Sequence, residues 1–555
     1  MLRRRWLLGL FAGIVSGLLH FAAFPPLGVA EAAYVFAVPL LLWLLGNPSR
    51  RSTLLCVFPG FWLSWFLLIA WLRYVHPPMG MVGLVMLSFL LGLFPTGWAL
   101  MARWLLPTAM KRGFAPRLLA LTGLSGLWVI LEWLKTWVLT GFPWAPLALS
   151  QWQRPPMLQT AEYGGQYAIS FILIFFNLTL AVYVYRLFWL PLAEASDSDD
   201  GDGQESSEPA SRLKLRWRFC PEFYVALALV FLSVWLYVRT VAQAQERKPM
   251  FNFAVVQPWI AADLKWTQEM VNENLSVLRR LTEQASILTP KPDVILWPEA
   301  APPFPILDDK GDRSMELWIQ EGVDKVGIPL LTGALAEFPN GEWANALFLL
   351  EPEKGLYNGY YAKRRLVPFG EYIPMRDALF FVSTVVPLDI DLQPGDHSRP
   401  LPLTVNGETW EVGALICYED IFARLGREVV REGADVIAVV TNDGWYGQEA
   451  GAYQHAAHSV LRAVETRRPV MRCGNHGWSG WIDEYGNVRG VLTGPDGLVY
   501  ARQTESFALS YDPVWRDRLT FYARYGDWVL WLGGVLLIGA VWQRKRQQLK
   551  FENTP

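Results

Sequence analysis

Apolar runs long enough to cross a lipid bilayer recur along this chain and leave few folds open to it. A helix needs about 20 apolar residues to span the hydrocarbon core. About eight such runs are read: 6 to 22, 28 to 46, 53 to 72, 80 to 100, 118 to 138, 167 to 190, 220 to 239 and 526 to 542. Backbone inside lipid must satisfy its own hydrogen bonds, so these runs predict a polytopic α-helical membrane bundle. The 52% hydrophobic content of the 555 residues agrees. The second run is split from the first only by FPPLG (24 to 28), whose prolines stop a helix and favour a turn.

Arg3, Arg4 and Arg5 ahead of an apolar run also fit a secretory signal peptide, but further spans follow directly, so an uncleaved first helix is expected. The positive-inside rule then orients the bundle. Arg50 and Arg51, then Lys111, Arg112 and Arg117, then Arg212, Lys214, Arg216 and Arg218, and finally Arg544, Lys545 and Arg546 share one side, the cytoplasm. The alternate loops carry little positive charge, Arg73 and Arg154 excepted. Three domains are expected: an N-terminal bundle over 1 to 244, an outer domain over 245 to 520, and a C-terminal helix with a cytoplasmic tail over 521 to 555. In a double-membrane bacterium this places the outer domain in the periplasm, on the inner membrane. The acidic, Gly/Ser-rich stretch 194 to 211 is expected to be a disordered cytoplasmic loop.

The outer segment has another texture. Short apolar runs, FNFAVVQ (251 to 257), DVILWPE (293 to 299), IPLLTGAL (328 to 335), ANALFLLEP (344 to 352), EVGALICYED (411 to 420) and ADVIAVVTND (434 to 443), predict buried strands. Helical patterns at 270 to 286 and 451 to 468 lie between them, so this is an α/β domain with its own core. A net charge of −2 without a basic stripe gives no reason to expect nucleic acid. The four cysteines, Cys56, Cys220, Cys417 and Cys473, are too scattered for a disulfide framework, and no CxxC pair suggests a metal. Cys56 and Cys220 read as small buried hydrophobes.

Cys417 stands apart because it ends a predicted strand and is followed by Tyr418, Glu419 and Asp420. A free thiol, with a pKa of about 8.5, needs a base and a nearby cation to act as a nucleophile at neutral pH. Glu299, closing ILWPE, and Lys363, in YYAKRRLVPFGEYIP, also follow predicted strands, where a sheet holds functional groups in place. Glu299 is the candidate general base, and an apolar setting would raise its pKa toward neutrality. Lys363 would hold the thiolate and then a tetrahedral oxyanion, with the backbone N–H of Tyr418 as second donor. Arg364 and Arg365 make a solvated basic run the plain alternative for Lys363.

The order and wording of these three motifs resemble the nitrilase superfamily of carbon-nitrogen hydrolases. With FAAFPPLG, EWLKTWVLTGFPW, QPWIAADLKW, TNDGWYG and QHAAHSVLRAVETRRP, the whole chain resembles the apolipoprotein N-acyltransferases, the membrane-embedded branch of that superfamily. The resemblance implies an α-β-β-α sandwich for the outer domain and a Glu299–Lys363–Cys417 triad. It makes Glu371 a second carboxylate supporting the lysine, and places Asn345 and Glu419 close to the site. Trp266 and Trp445 match family positions near the lipid entry and the pocket, although ordinary core or interfacial aromatics would read the same. It further implies a ping-pong reaction. Cys417 takes an acyl chain from a phospholipid as a thioester and passes it to the α-amino group of diacylglyceryl-cysteine on an apolipoprotein. No metal or other cofactor is called for. The segment RCGNHGWSG departs from the family's usual wording at Cys473, Gly474 and His476. Glu132 and Lys135, near the outer end of the fifth run, are expected to face a polar cavity.

Two rivals are set against this reading. A membrane-anchored amidase would use the same three residues with water as acceptor, but one anchor would serve it. A transporter or sensor would show internal repeats or mid-membrane charges, and neither stands out here.

Overall fold

The computed structural model describes residues 2–75, 79–197, 220–260, 268–308, 311–338, 340–378 and 390–552. Its first part contains α1 (Leu2–Ala22), the short α2 (Val38–Leu45), α3 (Arg50–Leu68), α4 (Met79–Ala109), α5 (Phe114–Leu134), α6 (Ala161–Asp197) and α7 (Pro221–Gln243). Among the described residues, all of these but α2 are long and apolar enough to cross a membrane, six in number. The expected span at 28 to 46 is instead a 3-10 turn, Ala30–Tyr34, followed by α2. Eight helical residues reach only about 12 Å. Gly28, at φ +63°, reverses the chain after the prolines, and Leu40, Leu41, Leu44 and Leu45 are buried among the other helices. Small residues bring the long helices together: a Cβ on Gly17 of α1 would lie 2.0 Å from the Gly60 carbonyl of α3. Of the acidic stretch, 194 to 197 ends α6 and the remainder lies outside the described residues.

The outer part contains two six-stranded sheets. The first joins β1 (Lys248–Gln257), β2 (Val294–Trp297), β3 (Leu330–Glu337), β4 (Trp343–Glu351) and β5 (Gly355–Ala362). The second joins β6 (Leu401–Val405), β7 (Glu408–Ile416), β8 (Val436–Thr441), β9 (Val470–Gly474), β10 (Gly480–Ile482) and β11 (Val488–Val491). Strand β12 (Gln503–Tyr511) returns to pair antiparallel with β1 in the first sheet. Each sheet is parallel at its centre, β1–β2–β3 and β7–β8–β9. All six runs read as strands fall on β1 to β4, β7 and β8, which are buried on both faces and so carry unbroken apolar sequence. Of the strands not singled out, β5, β6, β11 and β12 are edge strands, β5 with polar residues interrupting the pattern, whereas β9 is central and fully buried but short, its apolar run broken by Arg472.

The inner faces of the sheets meet through Val255, Leu296 and Leu331 on one side and Val412, Ile416 and Val440 on the other. The outer face of the first sheet is covered by α8 (Gln268–Ser286) and α9 (Ser314–Val326). That of the second is covered by α10 (Ala423–Arg431) and α11 (Ala450–Thr466), giving α-β-β-α layers. The core beneath α10 and α11 runs on without a break into the bundle, through Trp71, Trp144 and Leu173. Gln454 of α11 pins this junction. Its Oε1 accepts from Trp71 Nε1 at 3.1 Å and Trp144 Nε1 at 2.7 Å, while its Nε2 donates to the carbonyls of Pro25 and Leu68. The last helix, α12 (Trp528–Glu552), packs along α5, where a Cβ on Gly126 would lie 2.4 Å from the Gly533 carbonyl.

Candidate active site

Three strand ends converge on one buried cluster. Glu299 lies just beyond β2, Lys363 immediately follows β5, and Cys417 immediately follows β7. Lys363 Nζ donates to Glu299 Oε1 and to Glu371 Oε1, both at 2.9 Å. Asn345 Nδ2 donates to the same two oxygens at 2.8 and 3.0 Å. The second oxygen of Glu299 accepts from the Asn442 N–H at 2.9 Å, and that of Glu371 from the Val367 N–H at 2.7 Å. The Cys417 thiol lies within the field of both the Glu299 carboxylate and the Lys363 ammonium. Glu299 therefore faces the thiol as well as the ammonium.

Backbone geometry aims these groups. Cys417 and Ala300, the residue after Glu299, adopt φ of +51° and +45°. A non-glycine residue in this region costs about 1–3 kcal/mol and persists only when its surroundings hold it there. Glu419 does part of the holding. Its two oxygens accept from Tyr361 OH and from the N–H groups of Arg364, Arg365 and Ile416, tying the end of β5 to the end of β7.

Charge balance sets the resting state. Burial works against the Lys363 ammonium, yet Glu299, Glu371 and Cys417 hold its pKa well above the ordinary lysine value. Burial, seconded by the Glu299 charge, pushes the Cys417 thiol far up despite Lys363. For Glu299, burial acts upward, but the Lys363 charge and the hydrogen bonds from Lys363 and Asn345 outweigh it and leave the carboxyl below its usual range. The raised value expected from an apolar setting is thus corrected: the neighbouring ammonium decides the sign. At rest the cluster is thiol, carboxylate and ammonium.

Tyr418 reaches toward the bundle. Its hydroxyl donates to the Gly141 carbonyl at 2.5 Å, its ring lies 6.5 Å from that of Phe142, and Arg365 donates to the carbonyls of Thr136 and Thr140. The segment after α5 therefore lies against the Cys417 turn. Glu132 and Lys135 are both buried. Glu132 accepts from Trp128 Nε1 and the Leu147 N–H, which folds that segment back, and Lys135 Nζ sits 4.8 Å from the centre of the Trp65 ring. Trp445, on the turn Asp443–Tyr446, is half-buried against the same core, and Trp266 lies outside the described residues. Cys473 is fully buried between the sheets, donating to the carbonyls of Val256 and Leu296, while His476 stacks on Trp259 at 5.1 Å.

A second charged cluster, not singled out in the sequence, lies beneath the Cys417 turn. His455 of α11 faces Asp443 and Asp420, and Arg472 of β9 faces the same two carboxylates. All four are fully buried. Their signal was faint: charges inside otherwise apolar stretches such as AYQHAAHSV and PVMRCG. Among the described residues, no group of three or more His, Cys, Asp or Glu has the arrangement of a metal site.

Comparison with known proteins covers both halves of the chain. Residues 16–179 match the family described as apolipoprotein N-acyltransferase N-terminal domain, and residues 252–509 match carbon-nitrogen hydrolase. A protein of Geobacter metallireducens named apolipoprotein N-acyltransferase is 29% identical over 557 residues, covering 98% of this chain and 96% of its own. One of the same name from Pseudomonas paraeruginosa is 28% identical, covering 97% and 96%. Among solved structures, Saccharomyces cerevisiae Nit3, a member of branch 10 of the nitrilase superfamily, aligns with 51% of this chain and 97% of its own at 17% identity and a TM-score of 0.35. With a matching model on each half and relatives collinear over nearly the full length, this multi-pass membrane protein is similar throughout to the apolipoprotein N-acyltransferases and, in its outer part, to the carbon-nitrogen hydrolases.

Proposed function

We propose that this enzyme N-acylates lipoproteins by a two-step transfer through Cys417, taking the chain from a phospholipid and giving it to the amino group of an N-terminal diacylglyceryl-cysteine. The observation that carries this reading is the single carboxylate, Glu299, which binds the Lys363 ammonium at 2.9 Å and faces the Cys417 thiol. In the first step Sγ attacks the ester carbonyl as Glu299 takes the thiol proton. With the thiol pKa raised and that of Glu299 lowered, transfer to the carboxylate is uphill in the free enzyme, so the proton moves in concert with attack. The charge gathers on the carbonyl oxygen, where Lys363 and the Tyr418 N–H stabilise it. Collapse breaks the ester bond, Glu299 returns its proton to the departing lysophospholipid oxygen, and a thioester remains on Cys417. The acceptor amine then attacks the thioester, loses a proton to Glu299, and Cys417 leaves as the thiol with an amide formed.

The roles follow the layers. Residues 1 to 244 and 521 to 555 form the bundle, and 245 to 520 form the catalytic domain, in the periplasm of a double-membrane bacterium. Both substrates keep their acyl chains in the outer leaflet while they react. Exposing each methylene to water would cost about 0.8 kcal/mol, so a site held against the bundle avoids that penalty. Glu371 and Asn345 orient Lys363, Glu419 orients the Cys417 turn, and Trp266 and Trp445 contact lipid.

The test uses purified enzyme, phosphatidylethanolamine labelled in its acyl chain, and a diacylated lipopeptide. Label should appear on Cys417 by mass spectrometry in the absence of acceptor, and then on the peptide amine. Cys417→Ser should carry no thioester. Release of free fatty acid alone, or hydrolysis of a small amide in place of transfer, would overturn the assignment.

A further inference from the structure

We infer that His455 is a positioning residue that fixes the Cys417–Tyr418 peptide so that the Tyr418 N–H points at the oxyanion. This rests on the acyl-transfer reading above and adds to it a residue outside the Glu299–Lys363–Cys417 cluster.

His455 Nε2 lies 3.0 Å from the Cys417 carbonyl oxygen in hydrogen-bonding geometry. Its Nδ1 lies 2.8 Å from Asp443 Oδ1. A carbonyl only accepts and a carboxylate accepts, so both ring nitrogens carry hydrogen and the ring is an imidazolium. Asp420 Oδ1 is 2.9 Å from Nε2 but finds no aligned hydrogen, which leaves the Nε2–H aimed at the carbonyl. Asp443 accepts from Thr441 Oγ1 and faces Arg472, and Asp420 accepts from Ser459 and Arg472, so the flanking carboxylates are themselves fixed. Ring and carboxylates have no exposed surface. Burial disfavours the charged ring, but Asp420 and Asp443 outweigh it and raise the pKa to about 9.

A trans peptide is planar, and its C=O and N–H point in opposite directions. Anchoring the Cys417 oxygen toward α11 therefore turns the Tyr418 N–H the other way, toward Lys363 and the sulfur. The same contact fixes the peptide that follows Cys417, a residue at φ +51°. A charge-assisted bond to the carbonyl also polarises the peptide and makes its N–H a better donor. His455 thus acts on the oxyanion through the peptide, without touching substrate.

The experiment compares two reactions of the same sulfur in the full-length enzyme. Acylation by p-nitrophenyl butyrate passes through a tetrahedral oxyanion. Alkylation by iodoacetamide is a displacement at saturated carbon and has none. In His455→Leu the acylation rate should fall about 100-fold or more, the loss expected for one oxyanion donor, while alkylation stays within about threefold of wild type. His455→Gln, whose amide can donate to the same carbonyl, should recover most of the acylation. His455→Asn takes the place of His455→Leu if the latter does not fold, because the ratio of the two rates is read on folded enzyme. An unchanged ratio, or equal losses in both reactions, would overturn the inference. Labelled phosphatidylethanolamine on wild type is the separate control. If it fails to acylate Cys417 while the ester ratio behaves as stated, the lipid donor is wrong and the positioning role stands.

Discussion

The two helical layers flanking the sheets do the same architectural job with opposite chemistry. Helix α8 is amphipathic in the ordinary way: Val277, Leu278, Leu281 and Ala285 are buried on the sheet, and its charged residues reach outward, as Arg279 does to Glu321 at 3.3 Å. Helix α11 has no such outer face. From Gln454 to Thr466 every residue is buried, including His455, His458, Arg462 and Glu465. Water satisfies the charges of the first layer, whereas fixed partners satisfy most of those of the second. Arg462 donates to the Asp420 carbonyl and to Gln166 of α6, and faces Glu465 at 2.8 Å, so it bridges the Cys417 turn and the bundle. A polar residue buried between two bodies is thus a joint and not a packing fault, provided its partners come from both.

That contrast can be broken at several points. The largest effect belongs to the site that the buried layer supports. Glu299→Gln should lower the rate of acyl transfer by about 10²–10⁴-fold, the usual contribution of a general acid–base, with melting temperature near wild type. Single-turnover measurement of the Cys417 adduct checks it. Next comes Arg462→Met, which strands the Glu465 carboxylate in the interior and should destabilise the protein by about 3–5 kcal/mol, seen in chemical unfolding in detergent.

A smaller effect follows from pH. The folded pKa of His455, about 9, lies above its ordinary value of 6.5. The stability it contributes is therefore complete below about 6.5 and is lost as pH rises through 9. Asp420, Asp443 and Arg472 face the ring and stay charged across this window, so the melting temperature should drop further in wild type than in His455→Gln. The smallest effect belongs to the solvent-facing layer. Lys325→Ala removes the 2.7 Å pair between α9 and Glu283 of α8, both well exposed, and should change stability by less than about 1 kcal/mol. A larger loss there would erase the distinction between the layers.

Much of the site was legible because its members sit in short motifs at the ends of apolar strands. Glu299, Lys363 and Cys417 were found that way, and Glu371, Asn345 and Glu419 through family likeness. His455, Asp420, Asp443 and Arg472 were not, because each comes from a different element and no local spacing relates them. Six of the eight expected spans were legible from length and apolarity, while the run at 526 to 542 falls on α12, which among the described residues is not one of the helices apolar enough to cross a membrane. The run at 28 to 46 misled: composition counts apolar residues without asking whether the chain stays straight, and the turn around Gly28 takes up the first part of that run.

The chain's residues by themselves determined that it is a membrane bundle carrying an α/β domain and that a thiol, an ammonium and a carboxylate are available, since hydropathy, strand periodicity and functional groups are local properties. Only the tertiary structure decided that one carboxylate lies beside both the thiol and the ammonium, that Lys363 reverses the expected pKa shift of Glu299, and that an imidazolium lies under the Cys417 turn. Those depend on which strand ends lie side by side and on burial in a low-dielectric interior, and both are set by pairing between residues far apart in the chain.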